Sequence, residues 1–265
     1  MDFSALFDET FAQELQQRDI VADAEKITMQ EIQSMAIMTE LDISGTYDNP
    51  GSLTSLRGIE YFEALTKLNC NRNSLPELDV SQNTELTELR CNGNQLTELD
   101  VSKNTELTSL NYSNNQLTSL DVSQNTKLTQ LICNDNQLKE LDVSKNTELT
   151  TLWYFDNQLT ELDISRNTEL TQLDCRSNQL KELDISLNTE LTTLSCNNNQ
   201  LKELDISRNT KLTSLNCHDN PGDGNSVFPF AVWGDQVEKP GSLYVYQSGW
   251  TYNDKYITIE YQTAE

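Results

Sequence analysis

Six cysteines, Cys70, Cys91, Cys133, Cys175, Cys196 and Cys217, have the widest chemical repertoire in this 265-residue chain. Thiolates attack electrophiles or hold zinc, and pairs of thiols close disulfides. Their spacing argues against all three. Every cysteine falls at the same place in a 21-residue period, with Tyr112 and Tyr154 taking that place in two periods. Side chains stacked in that way on parallel neighbours stand about 4.8 Å apart, whereas a disulfide needs Cβ atoms at roughly 3.8 Å. No Cys-x-x-Cys occurs, and the only histidine is His218. Buried free thiols are therefore expected, with no metal and no cofactor. His218 next to Asp219 has the form of a base and its orienting acid. Cys217 should point to the opposite, buried face, and no serine or second histidine completes a catalytic set. The residues predict no enzyme.

A second set is acidic: Asp79, Asp100, Asp121, Asp142, Asp163, Asp184 and Asp205, again 21 residues apart. Stacked carboxylates repel unless each has a local task. The Ser-x-Asn that follows each one suggests capping of backbone N–H groups in a turn. A run of cation sites is the rival reading, but one carboxylate per coil falls short of the roughly 6–8 oxygens calcium prefers. Glu77, Glu98, Glu140, Glu161, Glu182 and Glu203 read as solvated edge charges.

The elements behind these sets come from the repeat itself. Leucine recurs at Leu65, Leu86, Leu107, Leu128, Leu149, Leu170, Leu191 and Leu212. With that leucine as position 1, position 4 is Leu, position 6 Cys or Tyr, and position 9 Asn, from Asn73 to Asn220. Positions 11 and 14 are Leu, 15 is Asp, 16 is Val or Ile, and 19 and 20 are Asn and Thr. Apolar residues at 4 and 6 between polar neighbours are the period of a strand with one buried face. One coil per period sets the strands side by side in a parallel sheet, and stacking buries a face that no single coil can bury. The inward asparagine at position 9 must find backbone partners. A thin core of this kind also accounts for an apolar content of only 36%.

The ends depart from the period. Phe3, Leu6, Phe7, Phe11 and Leu15 follow helical spacing, and Thr28-x-x-Glu31 is a capping box that opens a second helix carrying Ile32, Met35 and Ala36. The expected organisation is a helical N-terminal cap over residues 1–37, an irregular first coil over 38–64, eight repeats over 65–220 with the last incomplete, and a small β-rich cap over 221–265. In that last segment a turn at Asn253-Asp254 precedes the alternating Ile257, Ile259 and Tyr261, and its aromatics are expected to seal the final coil.

Because the repeated residues account for the scaffold, ligand contact should lie where exposed positions break the pattern. Positions 5 and 7 carry a polar floor of Asn and Ser, interrupted in one region. Trp153 and Phe155 should share the exposed sheet face, with Ile132 and Arg176 on adjoining strands and Asp156 at the rim. Asn134, Asp174 and Arg90 complete the expected ligand-binding set. Exposed aromatics flanked by arginine have the composition of an interaction hot spot.

The chain resembles the internalin-type leucine-rich-repeat proteins of bacterial surfaces, in the branch with a cysteine ladder. The period from Leu86 to Glu106, with Leu89, Cys91, Asn94, Leu96, Leu99-Asp100-Val101-Ser102 and Asn104-Thr105, follows the family pattern throughout, and the likeness covers about residues 65–220. The resemblance implies a right-handed solenoid with its parallel sheet on the concave face, a protein-binding role in adhesion or recognition, and a secreted or surface location. Aromatic platforms with Asn and Asp would also suit a glycan. Relatives often carry a calcium-loop-like cap, but Asp19 to Glu25 lacks its glycine and carboxylate spacing. The start, Met1-Asp2-Phe3-Ser4, has neither the basic nor the apolar region of a signal peptide, and Thr263-Ala264-Glu265 shows no sorting motif. A net charge of -24 excludes nucleic acid and anionic membrane as partners by bulk electrostatics, and no transmembrane segment is predicted.

Overall fold

The protein, studied as a computed structural model, is described over residues 1–224, 226–232, 241–246, 251–252 and 255–263. It forms two units, Met1–Leu128 and Thr129–Glu265.

In the first unit, helix α1 (Glu9–Gln17) begins where the Asp8 carboxylate accepts the N–H groups of Thr10 and Phe11. This cap divides the expected helical run. Phe3 and Leu6 belong to a short 3-10 turn with Ser4–Leu6 at its centre, and Phe7 is extended. Phe11 and Leu15 alone remain helical, and both are buried. Helix α2 (Met29–Ala36) starts at the expected capping box, Thr28 with Glu31; of its three apolar residues only Met35 is fully buried. Strands β1 (Glu40–Asp42), β2 (Lys67–Asn69), β3 (Glu88–Arg90) and β4 (Ser109–Asn111) then pair in parallel. Their central leucines are in register, Leu41 with Leu68, Leu68 with Leu89 and Leu89 with Leu110.

The second unit repeats the arrangement with β5 (Gln130–Ile132), β6 (Thr151–Trp153), β7 (Gln172–Asp174), β8 (Thr193–Ser195) and, after the short β9 (Leu204–Asp205), β10 (Ser214–Asn216). Beyond the period come β11 (Val227–Val232), β12 (Tyr244–Tyr246), β13 (Thr251–Tyr252), β14 (Lys255–Tyr256) and β15 (Thr258–Thr263). β12 joins the main sheet parallel to β10, placing Val245 beside Leu215. β9, β11 and β15 form a second parallel sheet, and β13 pairs antiparallel with β14. The turn expected at Asn253-Asp254 lies outside the described residues. Phe228 and Phe230 are fully buried, as a seal requires, but Tyr244, Tyr246 and Tyr256 are exposed. Among the described residues the C-terminal aromatics therefore divide between core and surface.

Three ladders tie the coils together. The inward positions 1, 4, 6, 11 and 16 are buried throughout the repeats, including all six free cysteines. Position 14 is the margin: Leu78 and Leu99 are nearly covered, while Leu120 and Leu162 are half-buried. Where the preceding coil belongs to the same unit, a position-9 asparagine donates from Nδ2 to its own coil and to the preceding one, as Asn94 does to the carbonyls of Cys91 and Cys70. Its Oδ1 accepts the N–H of a leucine in the preceding coil, Leu75 in the case of Asn94. A second buried asparagine ladder runs at position 19. Asn104 donates to the carbonyls of Val80 and Asn83, and Asn167 to those of Val143 and Asn146. Threonine at position 2 supplies a third set of cross-coil bonds, such as Thr171 Oγ1 to the Thr150 carbonyl. The acidic ladder has the local task that its spacing suggests. In all seven repeats the aspartate accepts the N–H of the serine two residues on, at 2.8–2.9 Å.

Candidate functional site on the sheet face of the second unit

Alternation along β6 sends Leu152 and Tyr154 into the core and leaves Trp153 and Phe155 half-exposed on the other side. A strand can aim successive side chains only to opposite faces, so the buried ladder fixes which residues face outward. Register then places the neighbours: Ile132 on β5 and Asp174 on β7 lie directly beside Trp153.

Position 7 adds the second row. The Arg176 guanidinium lies over the Phe155 ring at 4.0 Å from its centroid, a cation–π arrangement on a partly exposed surface. It is held there by Asp174, whose Oδ2 is 3.3 Å from Nη1 and whose Oδ1 accepts the Arg176 N–H. The Asp174 side chain is only 15% exposed. Burial pushes its carboxyl above the usual range, against the pull of Arg176. Arg176 is thus set as a flat cationic wall beside Phe155, and Trp153, Phe155, Ile132, Asp174 and Arg176 form one cluster.

Asp156 stands exposed at the rim, with φ of 51°. The reason is common to every repeat. Position 8 is left-handed in Arg72, Gly93, Asn114, Asp135, Asp156, Ser177, Asn198 and Asp219, a conformation that Gly, Asn and Asp tolerate best. Asp156 is therefore a turn residue as well as a rim charge.

Two expected residues do not join the cluster. Asn134 is buried, at 7% exposure, and donates to Asp135 Oδ2; a short amide at position 7 folds back onto the turn, where Phe155 is too large to do so. Arg90 belongs to the first unit, where it is exposed and pairs with Glu88 on its own strand. Conversely, the sequence reading passed over Tyr244 and Tyr246. β12 carries them onto this same sheet face, with Tyr246 beside Asn216 and 5.2 Å from the His218 ring. The strand-like alternation of Leu243-Tyr-Val-Tyr246 is the available signal, but it lies outside the 21-residue period.

The thiols are remote from this face. Burial pushes Cys70, Cys175 and Cys217 up to about 12, and raises Cys91 and Cys196 as well. At neutral pH they are protonated and packed as small apolar groups. His218 Nδ1 is 2.5 Å from Asp219 Oδ2, while Cys217 is fully buried on the other side of the strand. Among the described residues no three His, Cys, Asp or Glu side chains gather as a metal-ligand group, and no helix is long and apolar enough to cross a membrane.

No protein-family model matches the chain, and no curated protein matches it. Solved structures do. The functional domain of InlJ from Listeria monocytogenes, which includes a cysteine ladder, is 34% identical with a TM-score of 0.69. The match covers 92% of this chain and 60% of that one, so the chain spans about three-fifths of the length of that structure. The leucine-rich-repeat protein LIC12759 of Leptospira interrogans shares the fold at 23% identity and a TM-score of 0.61, over 88% of this chain and 70% of that one. Internalin C2 of Listeria monocytogenes does so at 19% and 0.56, over 82% and 86%. The buried thiol ladder, the asparagine ladder and the parallel one-strand-per-coil sheet identify the chain as an internalin-like leucine-rich-repeat solenoid of the cysteine-ladder type.

Proposed function

We propose that the chain is a non-enzymatic protein-binding module, secreted or displayed on a bacterial surface, that engages its partner through the sheet face around Trp153 and Phe155. One observation carries this reading. Along repeats whose outward positions 5 and 7 are mostly asparagine, serine and charged residues, two large aromatics are kept half-exposed and buttressed by Arg176. Aromatic and arginine side chains supply most of the energy of protein interfaces. A rigid surface also loses little entropy on binding. The division into a helical cap over 1–37, an irregular coil over 38–64, repeats over 65–220 and a β-rich cap over 221–265 belongs to the same proposal, since end caps keep a binding solenoid monodisperse.

The test is a pull-down with the purified protein, wild type against the Trp153→Ala/Phe155→Ala double variant. The reading expects partner retention to be lost while the thermal melt hardly moves. Undiminished retention together with a large drop in melting temperature would assign the two rings to packing instead. A glycan array run in parallel separates a protein partner from a sugar.

A further inference from the structure

We infer that the second unit's sheet face holds a second anchor, formed by Tyr244, Tyr246 and His218, and that the two anchors together clasp an extended cationic polypeptide segment. This rests on the protein-binding reading above and deepens it by specifying the partner.

The register carries the argument. Along the face, Trp153 on β6 is followed by Asp174 on β7, Ser195 on β8, Asn216 on β10 and Tyr246 on β12, each directly beside the next. Tyr246 therefore occupies the same column as Trp153, and His218, packed on Tyr246, occupies the same column as Phe155. Tyr244 and Tyr246 are 65% and 41% exposed, although each stands on a paired strand of the sheet. Two apolar groups thus rise at either end of a small polar floor, separated by four strand spacings of about 4.8 Å, or roughly 19 Å.

That separation has a simple counterpart. An extended chain rises about 3.4 Å per residue and points alternate side chains the same way. A segment crossing the strands would present residues i and i+6, about 20 Å apart, to the two anchors. Residues i+2 and i+4 would face Asp174, Ser195 and Asn216. The sign of the partner follows from the charges along the path. Asp156, Asp174 and Asp219 are acidic, while Arg176, the cation among these residues, is already held by Asp174. Asp174 and Arg176 offset one another, so the acidic character of the path comes from Asp156 at one end and Asp219 at the other; lysine or arginine at i+2 and i+4 would match this field, and acidic residues there would be repelled.

The experiment uses the full chain and a labelled synthetic peptide, Trp-Ser-Lys-Ser-Lys-Ser-Trp, titrated by fluorescence anisotropy. Saturable binding is expected, weakened at least tenfold by Tyr244→Ala/Tyr246→Ala, by Trp153→Ala, and by exchanging both lysines of the peptide for glutamate. Moving the second tryptophan to i+2 should remove the dependence on the tyrosines. If the tyrosine variant binds like wild type while Trp153→Ala does not, the second anchor is refuted and the protein-binding reading stands. If neither variant matters, both fall. Absence of peptide binding, or saturable binding of cellotetraose at these residues in its place, overturns the peptide assignment. Thermal melts of each variant guard against loss of fold; Tyr244→Ser/Tyr246→Ser repeats the test should the alanine pair unfold.

Discussion

The sheet faces of the two units are built on the same coil and have opposite characters. In the first unit much of the face is tied up in its own polar contacts. Asn69 donates to Asp42, Asn71 Oδ1 accepts the Asn92 N–H, and Ser113 donates to Asn111. Lys67 pairs with Glu40, and Arg90 with Glu88. In the second unit the same positions include Ile132, Trp153 and Phe155, whose surfaces are mainly apolar and gain by losing contact with water. Scaffold and the proposed recognition surface therefore fall in separate positions of one period. The buried residues can stay constant while positions 5 and 7 vary at almost no cost to the fold.

If that separation holds, equivalent core truncations should cost the same in both units. Leu89→Ala and Leu152→Ala, each fully buried, should lose about 3 kcal/mol apiece in urea unfolding. A difference approaching the size of the effect would break the equivalence. The position-19 ladder should behave alike. Asn104→Ala and Asn167→Ala each remove two donors from buried carbonyls, for a loss of roughly 2 kcal/mol.

Transplanting the first face onto the second sharpens the contrast. Trp153→Asn/Phe155→Asn should change stability by less than about 1 kcal/mol while partner retention drops at least tenfold. The left-handed turn provides a smaller test. Ser177→Gly should stabilise, and Gly93→Ser, whose new Cβ would meet nothing closer than 3.4 Å, should destabilise, each by up to about 1 kcal/mol through φ alone.

The smallest effects concern pH, and their signs should be opposite. Asp100 in the first unit is held below its ordinary value mainly by the Ser102 N–H. Its contribution is present above the unfolded pKa and disappears as pH falls through the folded one, so Asp100→Asn should cost stability at neutral pH and nothing in strong acid. Asp174 in the second unit is raised by burial. The native protein then binds its proton more tightly than the unfolded chain does, and this stabilisation is lost as pH rises through the folded pKa. Asp174→Asn should accordingly gain relative to wild type at neutral pH, with the gain vanishing below the unfolded pKa. Urea midpoints followed from acid to neutral pH read both.

Much of this was legible before any coordinates. The period of 21 places Leu68 and Cys70 on one face and Asn69 and Asn71 on the other, because a strand offers no third direction. The same alternation singled out Trp153 and Phe155. Less legible was Asn134, which shares Phe155's position but folds back onto Asp135; length and polarity, not register, decide whether a position-7 side chain stays outside. The split of Phe7 from Phe11 was hidden as well, since Asp8 serves as a helix cap only once the chain turns there.

By itself the sequence determined the repeat, the inward ladders, the free buried thiols and the column of residues facing away from the core, all consequences of local periodicity acting coil after coil. Only the tertiary structure decided what happens where the period ends. Val245 comes to lie beside Leu215 through a connection of no fixed length, so Tyr244 and Tyr246 complete the face by a long-range pairing that no local pattern encodes.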